Sequence, residues 1–185
     1  RVLWRAAEIA RRRADAIAST LTREEGKILR EAKGEVTKGI SLLEYYAGEG
    51  FRMHGKTLPS ESRDTFTYTV RQPLGVVGVM GAWNYQLLLT LGPVVDALAA
   101  GNHVMLKPSE VTPRTAETIA HIVADAFPPE YVTCVTGDVD EARAFSRLPF
   151  DHLFFTGSGR IGQLVVREAA LNYTPVTLEL GGKSP

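Results

Sequence analysis

Polar side chains that could do chemistry follow four apolar stretches of this sequence. They are Asn84, the pair Lys107 and Glu110, Ser158 within a run of glycines, and Glu179. An amide such as Asn84 can donate a hydrogen bond to an oxyanion. A carboxylate among apolar residues, such as Glu179, is poorly solvated, which suits a general base. Lys107 can donate to ribose hydroxyls and Glu110 can accept from them. Each residue also has an ordinary explanation, as a solvated or loop-terminating polar residue.

The glycine run from Gly157 to Gly162 reads G-x-G-x-x-G between a predicted strand and a predicted helix. Free amides at the start of such a helix would face a phosphate. A dinucleotide fingerprint should lie on the first strand of its unit, whereas this run follows the fourth. We therefore predict a phosphate loop without the usual Rossmann placement. The triplet Gly182-Lys183-Ser184 resembles the end of a P-loop, but Thr177 stands where that motif needs its first glycine, so an ATPase is not favoured.

Composition narrows the function classes. The 185 residues carry 21 basic and 21 acidic side chains, and this zero net charge gives no support for nucleic-acid binding. No apolar stretch is long enough for a membrane span. The single cysteine, Cys134, lies in a β-rich run and is interpreted as a buried strand residue rather than a nucleophile. The four histidines are scattered without metal-ligand spacing. We predict a cytoplasmic protein with no metal, no membrane and no nucleic-acid partner.

The elements that must position these residues form two regions. Residues 1–21, 22–32 and 36–51 have helical patterns, with a capping box from Thr22 to Glu25 as the predicted start of the second helix and Gly34 as its predicted end. These helices carry no chemical motif and are interpreted as scaffold. Residues 64–71 alternate polar and apolar and predict an exposed strand, with Phe66, Tyr68 and Val70 on one face.

Strand and helix patterns then alternate to the end of the chain. The predicted strands cover residues 76–80, 103–107, 131–135, 152–155 and 176–180, and the predicted helices cover 87–100, 114–126, 138–146 and 161–171. Repeated βα units of this length predict an α/β fold, a doubly wound (Rossmann-like) parallel sheet with an N-terminal helical segment. The predicted regions are a helical segment with a loop (1–63), an exposed bridging strand (64–72) and a dinucleotide-binding domain (73–185).

Six motifs, in order, carry a resemblance to a known family. They are Pro73-Leu-Gly-Val-Val-Gly-Val79, Trp83-Asn-Tyr85, Leu106-Lys-Pro-Ser-Glu110, Phe155-Thr-Gly-Ser158, Gly162 and Leu178-Glu-Leu-Gly-Gly-Lys-Ser-Pro185. The chain resembles the aldehyde dehydrogenase superfamily, and most of all its coniferyl-aldehyde dehydrogenase branch.

The resemblance implies a role for each matching residue. Glu179 corresponds to the general base that activates the deacylating water, and Asn84 to the amide that stabilises the oxyanion. The cofactor residues it implies are Trp83, Lys107, Ser109, Glu110, Gly157, Ser158, Gly162, Leu180 and Gly181. The family oxidises an aldehyde to an acid with NAD(P)+, through a thiohemiacetal and a thioester on a cysteine. NAD is favoured over NADP because Glu110 would repel a 2′-phosphate.

Several departures accompany the resemblance. Ala82 and Gln86 stand where the family usually has proline, so the Asn84 turn is expected to be looser. Gly159 replaces the usual threonine. The family's nucleophile lies downstream of the Glu179 motif, and Cys134 does not match it. The chain is therefore expected to be a fragment of a larger enzyme, lacking the catalytic domain and inactive alone.

The sequence leaves two alternative functions open and indicates the expected binding partners of the protein. A noncatalytic nucleotide-binding module is the alternative from another class. A downstream Gly-Gln-x-Cys-like segment would support the enzyme, and its absence would support the module. An enzyme that transfers the acyl group to coenzyme A is a second alternative, against which Glu179 argues. The substrate is expected to be a small-molecule aldehyde, and the resemblance implies an aromatic one of the coniferyl type. The whole protein is expected to be a homodimer or homotetramer, with residues 64–71 as a contact because such edge strands pair with other chains.

Overall fold

The structure, a computed structural model, describes residues 1–182. Its helices are α1 (Val2–Arg12), α2 (Ala14–Glu25), α3 (Leu29–Tyr46), α4 (Gln86–Ala99), α5 (Pro113–Ala126), α6 (Val139–Ser146) and α7 (Gly159–Ala170). Its strands are β1 (Thr57–Leu58), β2 (Thr67–Tyr68), β3 (Val76–Met80), β4 (His103–Lys107), β5 (Val132–Cys134), β6 (His152–Gly157) and β7 (Val176–Leu180). A single 3-10 turn covers Glu49–Phe51.

The five longer strands form one parallel sheet in the order β5-β4-β3-β6-β7. Within this sheet, the chain runs from the central strand β3 outward to β5. It then crosses back to form β6 and β7 on the other side of β3. The predicted doubly wound α/β fold is confirmed. The order reverses between β3 and β6, and ligands of such sheets bind in the crevice beyond the carboxyl ends of the strands at this point.

Helices cover both faces of the sheet. On one face, the buried side chains of β3 and β4, such as Val79 and Leu106, share a hydrophobic core with α4, α5 and the three N-terminal helices. On the other face, Leu153 and Phe155 of β6 pack with residues of α6 and α7. Strands buried on both faces are continuous apolar runs, which is why the sequence pattern places β3 and β4 at their observed bounds. β7 also has its predicted bounds, but it lies at the edge of the sheet and is only partly buried. The N-terminal helices therefore belong to the same core as the sheet.

The predicted boundaries of the N-terminal helices are wrong. α2 continues through Glu25 and ends at Gly26, which has a left-handed φ of 79° typical of a helix C-terminus, so Thr22 does not begin a helix. Gly34 lies inside α3 rather than at a break. The buried residues Ala32 and Val36 anchor α3 against the core, and this packing outweighs the roughly 1 kcal/mol cost of a glycine in a helix. No helix within residues 1–182 is both long enough and apolar enough to cross a membrane.

The predicted exposed strand is much shorter than expected. Only Thr67–Tyr68 is extended as a strand, and it pairs antiparallel with β1 in a two-stranded hairpin apart from the main sheet. Phe66, Tyr68 and Val70 are exposed as predicted, and the rings of Phe66 and Tyr68 lie 5.4 Å apart. Pairing of this segment with another chain stays a prediction.

The free energy of unfolding should decrease in mild acid because of His152 at the start of β6. Its Nε2 lies 2.9 Å from Oγ1 of Thr177 on β7, and burial lowers the pKa of the imidazole. A lowered folded-state pKa means that the unfolded chain binds the proton more readily. The contribution of His152 is therefore complete above about pH 6.5 and is lost as the pH falls below that value.

Urea unfolding between neutral and mildly acidic pH measures this dependence. We expect the unfolding free energy of His152→Gln to fall less with acid than that of the unsubstituted protein. The exposed His121 provides the control, since His121→Gln should leave the slope unchanged. Identical pH slopes for His152→Gln and the unsubstituted protein would contradict the assignment.

Candidate functional site

A cleft of about 920 Å³ opens beyond the carboxyl ends of β3, β4, β6 and β7. It lies where the strand order reverses, the position that the topology predicts for a ligand. The sequence-predicted site residues that line it are Trp83, Asn84, Lys107, Ser109, Glu110, Gly157, Ser158, Glu179, Leu180 and Gly181. The parallel sheet thus brings together residues from four separate strand ends.

Lys107 and Glu110 form an ion pair at the end of β4. The side chain of Lys107 is 1% exposed, and its Nζ donates to the Pro108 carbonyl at 2.9 Å and to Oε2 of Glu110 at 3.2 Å. An ammonium group has three donors, so one remains without a partner within residues 1–182. Glu110 is about one-third exposed and keeps acceptor capacity toward the cleft. A buried donor beside an accessible carboxylate fits the two hydroxyls of a ribose.

The turn from β6 to α7 presents the start of a helix to the cleft. β6 ends at Gly157 and α7 begins at Gly159, so Ser158 alone connects them. Ser158 caps the helix, since its Oγ accepts a hydrogen bond from the Ile161 amide at 3.4 Å. The first amides of an α-helix have no intrahelical partners and the dipole is positive there. This geometry fits a phosphate, as the glycine pattern predicts.

Gly162 is the one predicted site residue that does not line the cleft. It is buried within α7, and a Cβ at this position would lie 3.0 Å from Cδ2 of Leu180 and 3.6 Å from Cδ2 of Leu178. The missing side chain therefore lets α7 pack closely on β7. In a G-x-G-x-x-G pattern the third glycine commonly serves such helix–strand packing.

The two candidate catalytic residues face the same cleft from different strands. Asn84 lies in the exposed turn between β3 and α4, next to the half-exposed Trp83. Glu179 is the penultimate residue of β7 and pairs in register with Thr156 of β6. Its side chain is exposed, so the poor solvation expected from its apolar neighbours is not observed. Side chains alternate along a strand, and Glu179 stands at the open end of the sheet rather than within its core.

Gln86 is a structural residue of the site that sequence reasoning misjudged. It is fully buried at the start of α4; its Nε2 donates to the Ser109 carbonyl at 2.9 Å, and its Oε1 accepts from Oγ1 of Thr112. The absent proline was expected to loosen the Asn84 turn. Instead, the glutamine ties the start of α4 to the loop that carries Glu110. Only the contact partners reveal this role, since a glutamine before an apolar run has no distinctive pattern.

Replacing Gln86 by leucine should lower the unfolding free energy by roughly 2 kcal/mol, because the buried groups on Ser109 and Thr112 lose their partner. Urea denaturation measures the change. The same substitution at Gln163, an exposed residue of α7, is the control and should change stability by less than about 0.5 kcal/mol. Equal stabilities for the two variants would contradict the assigned role.

The environment of Cys134 in β5 does not suit a nucleophile. Burial raises the pKa of its thiol to about 12, although Lys107 acts in the opposite direction. A thiol with this pKa is almost entirely protonated at neutral pH, whereas the thiolate is the nucleophile. Within the part of the chain that the structure describes, no group of three or more His, Cys, Asp or Glu side chains could hold a metal ion. Lys183 and Ser184 of the P-loop-like triplet lie outside the described residues.

A doubly wound sheet whose crevice carries a ribose-compatible ion pair and a phosphate-compatible helix start is typical of the nucleotide-binding α/β proteins. A family model named "Aldehyde dehydrogenase family" matches residues 1–185. The chain belongs to the aldehyde dehydrogenase family, as the sequence motifs predict.

Known relatives agree with this assignment. A probable coniferyl aldehyde dehydrogenase of Pseudomonas aeruginosa is 59% identical over 116 residues, which cover 63% of this chain and 24% of that protein. AldH of Staphylococcus aureus in a substrate-bound state superimposes with a TM-score of 0.93 at 30% identity, over 100% of this chain and 41% of that one. An NAD-dependent aldehyde dehydrogenase of Sinorhizobium meliloti gives a TM-score of 0.91 at 33% identity, over 100% and 38%. The chain thus spans less than half the length of these relatives.

Proposed function

We propose that this chain forms the cofactor side of the active site in an NAD(P)-dependent aldehyde dehydrogenase, which oxidises an aldehyde to its carboxylic acid. The observation that carries the proposal is the meeting of Lys107, Glu110, Ser158, Asn84 and Glu179 around one cleft of the sheet. Its relatives extend well beyond the matched residues. In the complete enzyme the nucleophilic cysteine would come from residues outside this chain, as the resemblance of the sequence motifs implies.

The residues of the cleft fit a dinucleotide. The donor of buried Lys107 that has no partner among residues 1–182, together with the accessible carboxylate of Glu110, would hold the hydroxyls of the adenosine ribose. The start of α7, capped by Ser158, would face the pyrophosphate. When bound, the nicotinamide group supplies the hydride acceptor for the oxidation. Gly181 and Leu180 border the same cleft at the end of β7.

Two side chains would serve the aldehyde. The Asn84 amide would donate to the oxygen of the carbonyl as negative charge develops there, a form of electrostatic stabilisation that suits a positioned amide. The Glu179 carboxylate, exposed at the rim of the sheet, would take a proton from the water that releases the acid. Both groups stand at strand ends, where the rigid sheet defines their positions.

The favoured cofactor is NAD+ rather than NADP+. The Glu110 carboxylate is suited to accept from both ribose hydroxyls, and it would repel the 2′-phosphate of NADP+. The favoured substrate is an aromatic aldehyde of the coniferyl type, by similarity to the Pseudomonas aeruginosa relative. The oligomeric state and the cytoplasmic location stay predictions from the sequence.

Two measurements test this proposal. Calorimetric titration compares the binding of NAD+ and NADP+, and an assay of NADH formation compares coniferyl aldehyde with an aliphatic aldehyde. We expect tighter binding of NAD+ and faster turnover of the aromatic aldehyde by the complete enzyme. Turnover that requires coenzyme A would identify an acylating enzyme instead. Failure to bind either dinucleotide would contradict the proposed function.

A further inference from the structure

A buried cluster of three charged residues lies where α2 meets α3. Nζ of Lys27 is 2.8 Å from Oε2 of Glu25 and 2.5 Å from Oε2 of Glu35. The side chains of Lys27, Glu25 and Glu35 are 10%, 1% and 0% exposed, respectively. Removing charges from water is costly even when they are paired. Because hydrophobic side chains could fill the same space, packing alone does not explain why charged residues are buried here.

The cluster contacts the segment that carries Asn84 at three points. Nζ of Lys27 donates to the backbone carbonyl of Asn84 at 2.8 Å and lies 3.9 Å from the centre of the Tyr85 ring. Oε1 of Glu35 accepts a hydrogen bond from the Leu88 amide at 3.2 Å. The Asn84 carbonyl, the Tyr85 ring and the Leu88 amide are therefore all contacted by residues that lie more than 50 positions earlier in the sequence.

These contacts replace a missing helix cap. Helix α4 begins at Gln86, and the residue before it, Tyr85, makes no side-chain capping hydrogen bond. The first amides of a helix need acceptors, and a negative charge there interacts favourably with the helix dipole. Glu35 of α3 supplies both an acceptor and a negative charge to the start of α4. Lys27 balances part of the negative charge of Glu25 and Glu35. The start of α4, and with it the backbone of the Asn84 turn, is therefore anchored to the N-terminal helices.

We propose that Glu25, Lys27 and Glu35 are positioning residues, which orient the Asn84 amide toward the reacting carbonyl by holding the backbone of its turn. This inference rests on the proposed function. It gives a role in catalysis to the N-terminal region, whose helices are predicted from the sequence to be scaffold. Lys27 and Glu35 act through Asn84 and Leu88 and do not touch the cleft, since neither lines it. Their loss should affect turnover far more than cofactor affinity.

The test is a double-substitution cycle in the complete enzyme. Lys27→Met should lower kcat roughly 10- to 100-fold, because small displacements of catalytic groups have effects of this size. The Kd for NAD+ should change by less than about two-fold, and Lys27→Arg should restore most of the activity. In an Asn84→Ala background, Lys27→Met should lower kcat by less than about two-fold further, since the group that it positions is already absent.

Lys33→Met is the matched control, because Lys33 of α3 forms an exposed ion pair with Asp15 of α2. It should leave kcat and cofactor affinity unchanged. Glu35→Gln serves as a second variant that keeps a hydrogen-bond acceptor for Leu88, so it remains informative if Lys27→Met does not fold. A folded Lys27→Met or Glu35→Gln enzyme with unchanged kcat would overturn the inference. An equal loss of kcat in the Asn84→Ala background would overturn it as well.

Hydrogen–deuterium exchange provides a readout that does not depend on turnover. Amides of the peptide covering residues 84–88 should exchange faster in Lys27→Met and Glu35→Gln than in Lys33→Met. In Lys27→Met the Asn84 carbonyl loses its donor, and in Glu35→Gln the Leu88 amide exchanges a charged acceptor for a weaker, neutral one. Unchanged exchange in both cluster variants would overturn the inference. A protein that oxidises no aldehyde but shows the faster exchange would contradict the proposed function and leave the structural part of the inference supported.

Discussion

Replacing Glu179 by glutamine should lower kcat for aldehyde oxidation by roughly 10²- to 10⁴-fold, the range typical of a lost general base. Glutamine has nearly the same size and still forms hydrogen bonds, but it cannot take a proton from water. Glu179 is exposed at the end of β7, so the substitution leaves no buried group without a partner. The loss should therefore appear in the chemistry and not in the stability of the fold.

Stopped-flow measurement of NADH separates the affected step. If Glu179 activates the water that releases the acid, hydride transfer precedes its task, and a stoichiometric burst of NADH should persist before the slow steady state. The exposed Glu61 in the loop before β2 supplies the control, since Glu61→Gln should keep both phases. Loss of the burst together with the steady-state rate would assign Glu179 to an earlier step. An unchanged kcat would refute its role as the base.

Replacing Lys107 by methionine should raise the Kd for NAD+ about 10- to 100-fold, which corresponds to the roughly 1.5–3 kcal/mol of a hydrogen bond from a charged donor. The buried Nζ has two partners within the described chain and one remaining donor beside the cleft. Methionine has an unbranched apolar side chain of similar length but no donor. Glu110 remains about one-third exposed, so its carboxylate can still be solvated when the ammonium is absent.

Calorimetry of NAD+ binding measures this change, and thermal unfolding reports whether the fold is kept. Lys38→Met, a substitution at an exposed position of α3, is the matched control and should bind NAD+ as the unsubstituted protein does. A Kd for Lys107→Met within about two-fold of the control would remove Lys107 from the cofactor site. A folded variant that loses affinity for NAD+ but not for nicotinamide mononucleotide would place the contact at the adenosine half.

The sheet and the list of cleft residues could be predicted because each depends on local patterns. Buried parallel strands are short apolar runs, and residues 76–80 and 103–107 have the predicted bounds. The partly buried edge strand at residues 176–180 has its predicted bounds as well. Once the strands are parallel, the topology alone brings their carboxyl ends together. Ten of the eleven predicted site residues therefore line one cleft, with Gly162 as the exception because the helix begins three residues before it.

Predictions that depended on distant contacts were the ones that failed. Thr22 has the local signature of a helix start, but α2 runs past it to Gly26. Gln86 reads as an ordinary polar residue and is a buried connector between two loops of the site. Glu179 has apolar neighbours in sequence, yet it lies at the exposed end of its strand. For Gln86 the environment is set by residues 23 and 26 positions away in the chain, which no local pattern reveals.

The amino-acid sequence by itself determined the α/β class, the parallel sheet and the chemical inventory of the cleft, since these follow from local periodicity and from residue types at strand ends. Only the tertiary structure showed that the N-terminal region contacts the start of α4 and the turn that carries Asn84. The contacts of Lys27 with Asn84 and of Glu35 with Leu88 join segments 57 and 53 positions apart. The reason is physical: a buried charge is stable only beside its partners, and the fold alone decides which residues those are.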